Sequence, residues 1–184
     1  MKLNLGCGES DYREGWVNVD CRRFSATNPD VVHDLNSFPY PFKTGEADEI
    51  LMSHVLEHLE DPVRVMDECH RILKPGGKLT IITPHPSFPV SWADPTHRRP
   101  GFSTGFANYF DGKLTTPRYT SSLWKTKSAR LVWRKPGRKF APIVAVLAFF
   151  IETVANWYPP FAELYLWHLV GGFAESRFEF EALK

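Results

Sequence analysis

Over the first 84 residues the apolar positions fall in short runs broken by turn-forming residues, the signature of buried strands more than of helices. Residues 2–6 (KLNLG) and 16–20 (WVNVD) read as two such strands, and 29–34 (PDVVHD) as a third, shorter one. Residues 38–42 (FPYPF) are apolar too, but two prolines remove the N–H donors a central strand needs, so this is a loop. Residues 47–53 (ADEILMS) give a fourth strand. Asp61-Pro62 then opens a helix, with Asp as N-cap and Pro in the first turn. Val63, Met66, Cys69 or His70, and Leu73 recur along it at helical spacing, until Lys74-Pro75-Gly76-Gly77 ends it. Residues 78–83 (KLTIIT) are the fifth strand.

Beyond Pro84 the pattern changes. Residues 84–120 hold six of the 15 prolines and read as a long loop with short helices, of the kind that is usually functional. Residues 128–134 form a candidate strand. Residues 142–158 and 161–170 read as two apolar helices parted by Pro159-Pro160. Residues 176–183 alternate Phe178 and Phe180 with Glu179 and Glu181, which suits a last strand. Strands separated by helices or long connections predict an α/β fold with a mostly parallel sheet. Cys7–Gly15 is too short for a crossover helix, so that link is expected to shrink to about one turn.

Composition sharpens the division. The 184 residues are 43% hydrophobic and 23% charged with a net charge of +1, ordinary for one domain with a real core. The first hundred residues carry −4 and the remainder +5, and 18 of the 26 aromatic residues lie in the second part. Residues 118–139 contain Arg118, Lys125, Lys127, Arg130, Arg134, Lys135, Arg138 and Lys139 and no acid. With Tyr119, Trp124 and Trp133 interleaved, this run suits single-stranded nucleic acid, anionic lipid headgroups, or simply a solvated strand edge. The apolar stretch 141–151 that follows suits a membrane surface, a sheet cover or a homodimer contact. Three scattered cysteines without C-x-x-C spacing argue against a disulfide framework or zinc cluster and for a reducing, cytoplasmic setting, with peripheral membrane contact left open. The chain opens directly on a strand-like segment with no leader pattern.

The candidate chemistry gathers at strand ends. Gly6-Cys7-Gly8 follows the first strand, where residues without Cβ let backbone approach a ligand. Asp20 closes the second strand, well placed to accept hydrogen bonds from ribose hydroxyls, and Asp34-Leu35 lies just past the third. The third glycine of the dinucleotide fingerprint is missing, so nicotinamide and flavin dinucleotides do not fit. His54, Glu57 and His58 have the inverted His-x-x-Glu-His order of some zinc sites, but no third ligand is evident and no metal is expected.

Taken in order, LNLGCG, NVD, HDL, ADEILMSHVLEHLEDP and LKPGGKLTIITPH resemble the class I S-adenosylmethionine (SAM)-dependent methyltransferases, in the small type 11, ubiquinone-biosynthesis-like branch. The resemblance covers residues 2–85. It implies a Rossmann-like, seven-stranded-type sandwich with antiparallel C-terminal strands and a trimmed N-terminus. The chain would be a single domain, 1–184: a cofactor core (1–84), a substrate loop and apolar cap (85–175) and a final strand (176–184). It also implies methyl transfer from SAM, leaving S-adenosylhomocysteine, to a small acceptor that is anionic or partly apolar, O-methylation being favoured. An RNA substrate or a non-catalytic SAM-binding role are the alternatives. By the same resemblance Gly6, Cys7 and Gly8 would pass beneath the methionine part of SAM, Asp20 would hold the ribose, Asp34 and Leu35 would face the adenine, and Ser53 and His54 would lie beside the sulfonium. The family often has an acid where Asn4 stands.

Methyl transfer to oxygen or nitrogen also calls for a group to take the acceptor's proton. His54, His58, His85, Asp94 and His97 are the candidates. His85, Asp94 and His97 are preferred as catalytic residues because they sit around the proline-rich loop after the fifth strand. Arg98-Arg99 reads as either a clamp for an anionic group or a solvated pair.

Overall fold

The structure, a computed structural model, describes residues 1–25, 28–112, 119–133, 141–170 and 172–184. Seven strands form one sheet in the order β3-β2-β1-β4-β5-β7-β6. They are β1 (Lys2–Leu5), β2 (Val17–Asp20), β3 (Val31–Val32), β4 (Ala47–Ser53), β5 (Leu73–Pro84), β6 (Leu123–Val132) and β7 (Glu175–Leu183). The first five are parallel, and among the C-terminal strands it is β7 that reverses, running antiparallel to both β5 and β6.

Residues paired in register share a sheet face. Leu3 lies opposite Val17 and Ile50, Ile50 opposite Leu79, and Leu79 opposite Phe180, so one apolar row crosses most of the sheet. Helix α1 (Pro62–Ile72) buries Val65, Met66, Cys69 and Ile72 against this core. It starts where the sequence places it, with the Asp61 carboxylate accepting the Arg64 N–H at 3.0 Å and Pro62 in the first turn. The opposite face carries cross-strand ion pairs instead, Lys2–Glu49, Lys78–Glu179 and Lys127–Glu181.

After β1, β2 and β3 the described connections contain no helix. The β1–β2 link is one turn, closed by the Asp11 N–H donating to the Cys7 carbonyl at 3.1 Å. With no helices there, the carboxyl ends of these strands open onto a broad cleft.

The 84–120 loop contains a short helix α2 (Pro89–Ala93) and a 3-10 helix, Thr104–Tyr109. Strand β6 starts earlier than the apolar pattern suggests, because residues 123–126 already pair with β7, ahead of a bulge at Lys127. Helix α3 (Ala141–Trp157) lies along the outer edge of β6. The Asn156 amide imitates a neighbouring strand there, accepting from the Leu131 N–H at 2.7 Å and donating to the Leu131 carbonyl at 2.9 Å. After Tyr158, held out of helical geometry by the proline that follows, a second arm runs through Pro159–Phe161, a π-helical stretch Ala162–Leu166, and Trp167–Val170. It bends from α3 by 110°.

These helices share a small core with Leu131, Ala155, Ala162 and Phe173, but leave Phe149, Phe150, Val154, Trp157, Leu164 and Leu169 each more than half exposed. Among the described residues, no single helix is long and apolar enough to cross a membrane. Of the basic run, Lys125, Lys127 and Arg130 stand on β6, while Arg118, Arg134, Lys135, Arg138 and Lys139 lie outside the described residues.

Candidate active site

The carboxyl ends of β1, β2 and β4 meet at a cleft of about 660 Å³ lined by Gly6, Gly8, Asp20, Asp34, Leu35, His54 and Val55, among others. At Gly6 the backbone turns with φ 75°, and a Cβ there would stand 2.3 Å from Val55 Cγ2, so only glycine lets β1 and the β4 loop close on each other. Gly8 has φ 54° and open space where a Cβ would be, on the cleft wall. Its N–H donates to Asp20 Oδ2 at 2.8 Å, which fixes the Asp20 carboxylate at the end of β2. Asp34 accepts from the Asn36 N–H at 2.9 Å, an Asx turn that presents the Leu35 backbone to the same space. A cleft with a Cβ-free wall, one carboxylate at the second strand end and another past the third fits a nucleoside with a short polar tail.

Two residues expected here are placed differently. Cys7 belongs to the turn but is buried and does not line the cleft; desolvation first, and then the Asp20 charge, push its thiol up to about 11, so it stays protonated. Ser53 closes β4 without reaching the lining. Asn4 is 1% exposed and donates to the Asp11 carbonyl at 2.6 Å and to Asn18 Oδ1 at 3.0 Å. It ties the shortened β1–β2 turn down onto the sheet.

A second cleft, of about 700 Å³, adjoins the first, and His54 and His58 line both. Its wall combines Pro84, Phe88 and Val90 with Glu57, Asp94, His97 and Glu175. His54 occupies the left-handed region at φ 55°, unusual for a side chain with a Cβ. This conformation sets its ring between two buried carboxylates: Nε2 is 3.4 Å from Glu175 Oε1 and Nδ1 is 3.5 Å from Glu57 Oε1. Glu175, then Glu57, raise its pKa to about 9, so at neutral pH His54 carries a positive charge balanced by the two carboxylates.

The loop after α2 reaches this wall through Arg99. Its guanidinium donates to the carbonyls of Leu56, Leu59 and Glu60, and the Arg98 N–H donates to the Glu57 carbonyl at 2.9 Å. Arg99 is therefore spent on backbone oxygens and is no clamp for a substrate anion. The anchor brings His97 beside His58, ring centroids 4.7 Å apart. Asp94 caps its own turn through Thr96 and lies 3.7 Å from His97 Nε2.

His85 is not brought to either cleft. It is 4% exposed, bonded to Ser87 and Glu163, and joins the β5 end to the second helical arm. Glu175, which sequence reading missed, enters because β7 begins one residue early; its alternation with Arg177 and Glu179 would place it on an outward face, with no signal of burial. Glu57 and His58 are legible only as an inverted metal-like spacing.

Residues 3–81 match the methyltransferase-domain family. A demethylmenaquinone methyltransferase of Lactococcus lactis subsp. lactis (strain IL1403) is 31% identical over 97 residues, 51% of this chain and 36% of that protein. A ubiquinone biosynthesis O-methyltransferase of Xanthomonas oryzae pv. oryzae (strain PXO99A) is 44% identical over 41 residues, 22% of this chain and 17% of that protein. The chain thus spans little more than a third, at most, of these curated relatives. A SAM-dependent methyltransferase from Archaeoglobus fulgidus superposes over 100% of this chain and 85% of its own with a TM-score of 0.54 at 18% identity, which speaks for the fold. The strand order, the glycine turn facing Asp20 and the matched segment, residues 3–81, together make the amino-terminal part of this chain similar to a methyltransferase domain, on a fold shared with SAM-dependent methyltransferases.

Proposed function

We propose that this protein transfers the methyl group of SAM to a hydroxyl oxygen of a small, partly apolar acceptor taken up at a membrane surface. The observation that carries the reading is the pair of adjoining clefts with His54 and His58 in their common wall. A cofactor in the first would have its methyl group near the second, and in-line displacement asks for little more than alignment and exclusion of water. The acceptor oxygen attacks the methyl carbon, the carbon–sulfur bond breaks with its electron pair going to sulfur, and neutral S-adenosylhomocysteine leaves. The hydroxyl proton must also go. His54 is already protonated at neutral pH, so this task falls to the Glu57, His58 and His97 side of the second cleft. Phe88, Val90 and Pro84 supply apolar wall for the rest of the acceptor. The relatives named for demethylmenaquinone and ubiquinone methylation favour an acceptor of low water solubility.

The membrane part of the reading is supported by the exposed apolar side chains of the two helical arms, with Arg130 of β6 lining the same groove as Phe149 of α3. An amphipathic surface of this kind settles at the headgroup boundary, and basic residues favour anionic lipid.

The test is calorimetric binding of SAM and S-adenosylhomocysteine, followed by mass-spectrometric detection of methylated product from simple diphenol acceptors. Asp20→Ala is expected to weaken cofactor binding at least about tenfold, since it removes hydrogen bonds to a charged acceptor each worth roughly 1.5–3 kcal/mol. Wild-type protein that binds neither molecule would end the reading.

A further inference from the structure

Glu57 is 0% exposed, and its Oε1 has no hydrogen-bond partner; the His54 ring stands 3.5 Å away. Oε2 accepts only a long bond, 3.3 Å, from Thr83. The His54 charge offsets part of the cost of burying this carboxylate, but with no hydrogen bond closed the oxygen can still accept from a further cation or donor. One ligand atom each from Glu57, His58 and His97 lie within 4.8 Å of one another, at the second cleft.

The two histidines are held as metal ligands are held. His58 Nδ1 faces the Thr96 carbonyl at 3.2 Å, and His97 Nδ1 faces the Ser91 carbonyl at 2.7 Å. A carbonyl only accepts, so each contact turns Nδ1 toward the backbone and Nε2 away from it, with the Thr96 hydroxyl also 3.1 Å from His58 Nδ1. Backbone carbonyls orient metal-binding imidazoles in this manner. Asp94 Oδ2 stands 3.7 Å from His97 Nε2, which places a second carboxylate beside the cluster. The Arg99 bonds to three backbone carbonyls and the Arg98 N–H bond to Glu57 fix the loop that delivers His97.

From these observations we propose that Glu57, His58 and His97 bind one divalent transition-metal ion of the zinc class, with Asp94 beside it. Two imidazoles and one carboxylate are a common catalytic zinc set, and such sites keep positions open for water or substrate. Here the open side faces the acceptor cleft. The role that follows rests on the methyl-transfer reading above: a hydroxyl oxygen bound to the cation loses its proton to solvent at neutral pH and becomes the nucleophile. His54 keeps Glu175 as a partner when Glu57 turns to the cation.

The test uses chelator-treated full-length protein titrated with Zn²⁺ by calorimetry and with Co²⁺ by absorption spectroscopy, with SAM binding measured on the same samples. The expectation is one equivalent of metal per chain and a Co²⁺ spectrum without a thiolate band. His97→Ala should weaken Zn²⁺ by at least about 100-fold, because even residues that only support ligands typically cost 10–100-fold. His97→Asp, which keeps a ligand, should restore part of the affinity. His33→Ala, at a histidine that lines neither cleft, should leave Zn²⁺ affinity unchanged. SAM binding should survive His97→Ala, and Zn²⁺ binding should survive Asp20→Ala, so failure of the metal site and failure of the cofactor reading are told apart. No stoichiometric Zn²⁺ binding, binding indifferent to both His97 variants, or a thiolate band from Cys21 would each overturn the proposal.

Discussion

Gly6 and Gly8 are two residues apart and have opposite jobs. At position 6 a Cβ meets Val55 at 2.3 Å and the backbone sits at φ 75°, so Gly6→Ala combines a left-handed penalty with overpacking. A stability loss of about 2–4 kcal/mol is expected by urea denaturation. At position 8 a Cβ meets nothing within 4 Å, so Gly8→Ala should cost only about 1–2 kcal/mol for its backbone. Its methyl group would stand in the cofactor cleft, and the larger effect should be on SAM affinity by calorimetry. Unchanged SAM affinity in a folded Gly8→Ala protein would show that the cofactor does not pass this wall. The Gly-x-Gly turn and Asp20 were legible in the sequence because a strand-end turn is a local property. Which glycine opposes a neighbour and which opposes the ligand was not, since Val55 comes from a different strand end.

Elements here are fastened by single polar side chains. Asn156 alone supplies both a donor and an acceptor to Leu131 on the edge strand β6, so Asn156→Ala should lower stability by about 2–3 kcal/mol and weaken the docking of α3. Hydrogen exchange at the Leu131 amide is the direct readout, and unchanged protection would reject the strand-mimic account. Glu68 on α1 plays the same part for the Phe38–Phe42 loop, accepting the Tyr40 N–H at 2.8 Å and paired with Arg71 at 2.7 Å. Burial pushes its carboxyl up, but Arg71 and the Tyr40 N–H outweigh this and hold it below the ordinary value. A depressed folded pKa means that this stability is present above the unfolded value, about 4.3, and is lost as pH falls through the folded one. Glu68→Gln should therefore flatten the stability profile between roughly pH 5 and 3. An unaltered acid limb would show the pair to be energetically silent.

At the scale of the whole molecule, the second helical arm and α3 expose many large apolar side chains that an isolated monomer in water has little reason to keep. Liposome co-sedimentation should show retention on anionic vesicles that falls with salt, because exposed basic groups are screened over about 8 Å at physiological ionic strength. Phe150→Asp, at a side chain 61% exposed, should reduce retention without unfolding the protein. Equal recovery with neutral and anionic vesicles at every salt concentration, together with a concentration-dependent mass in the ultracentrifuge, would make this face a contact between two copies instead.

The sequence by itself determined the strand ends that line the first cleft. Strand-end glycines, the acid after β2, the Asp61-Pro62 helix start and the ordered motif series are each written within a few residues, because backbone geometry and capping act locally. The aromatic alternation of β7 was equally plain, since one face is buried and the other solvated. Only the tertiary structure decided the second cleft. His97 meets His58 because Arg99 ties a distant loop to three carbonyls, Glu175 is buried because β7 inserts between β5 and β6, and His85 is drawn away to the helical arm. Those are long-range packing outcomes, and no short stretch of residues carries a signal for them.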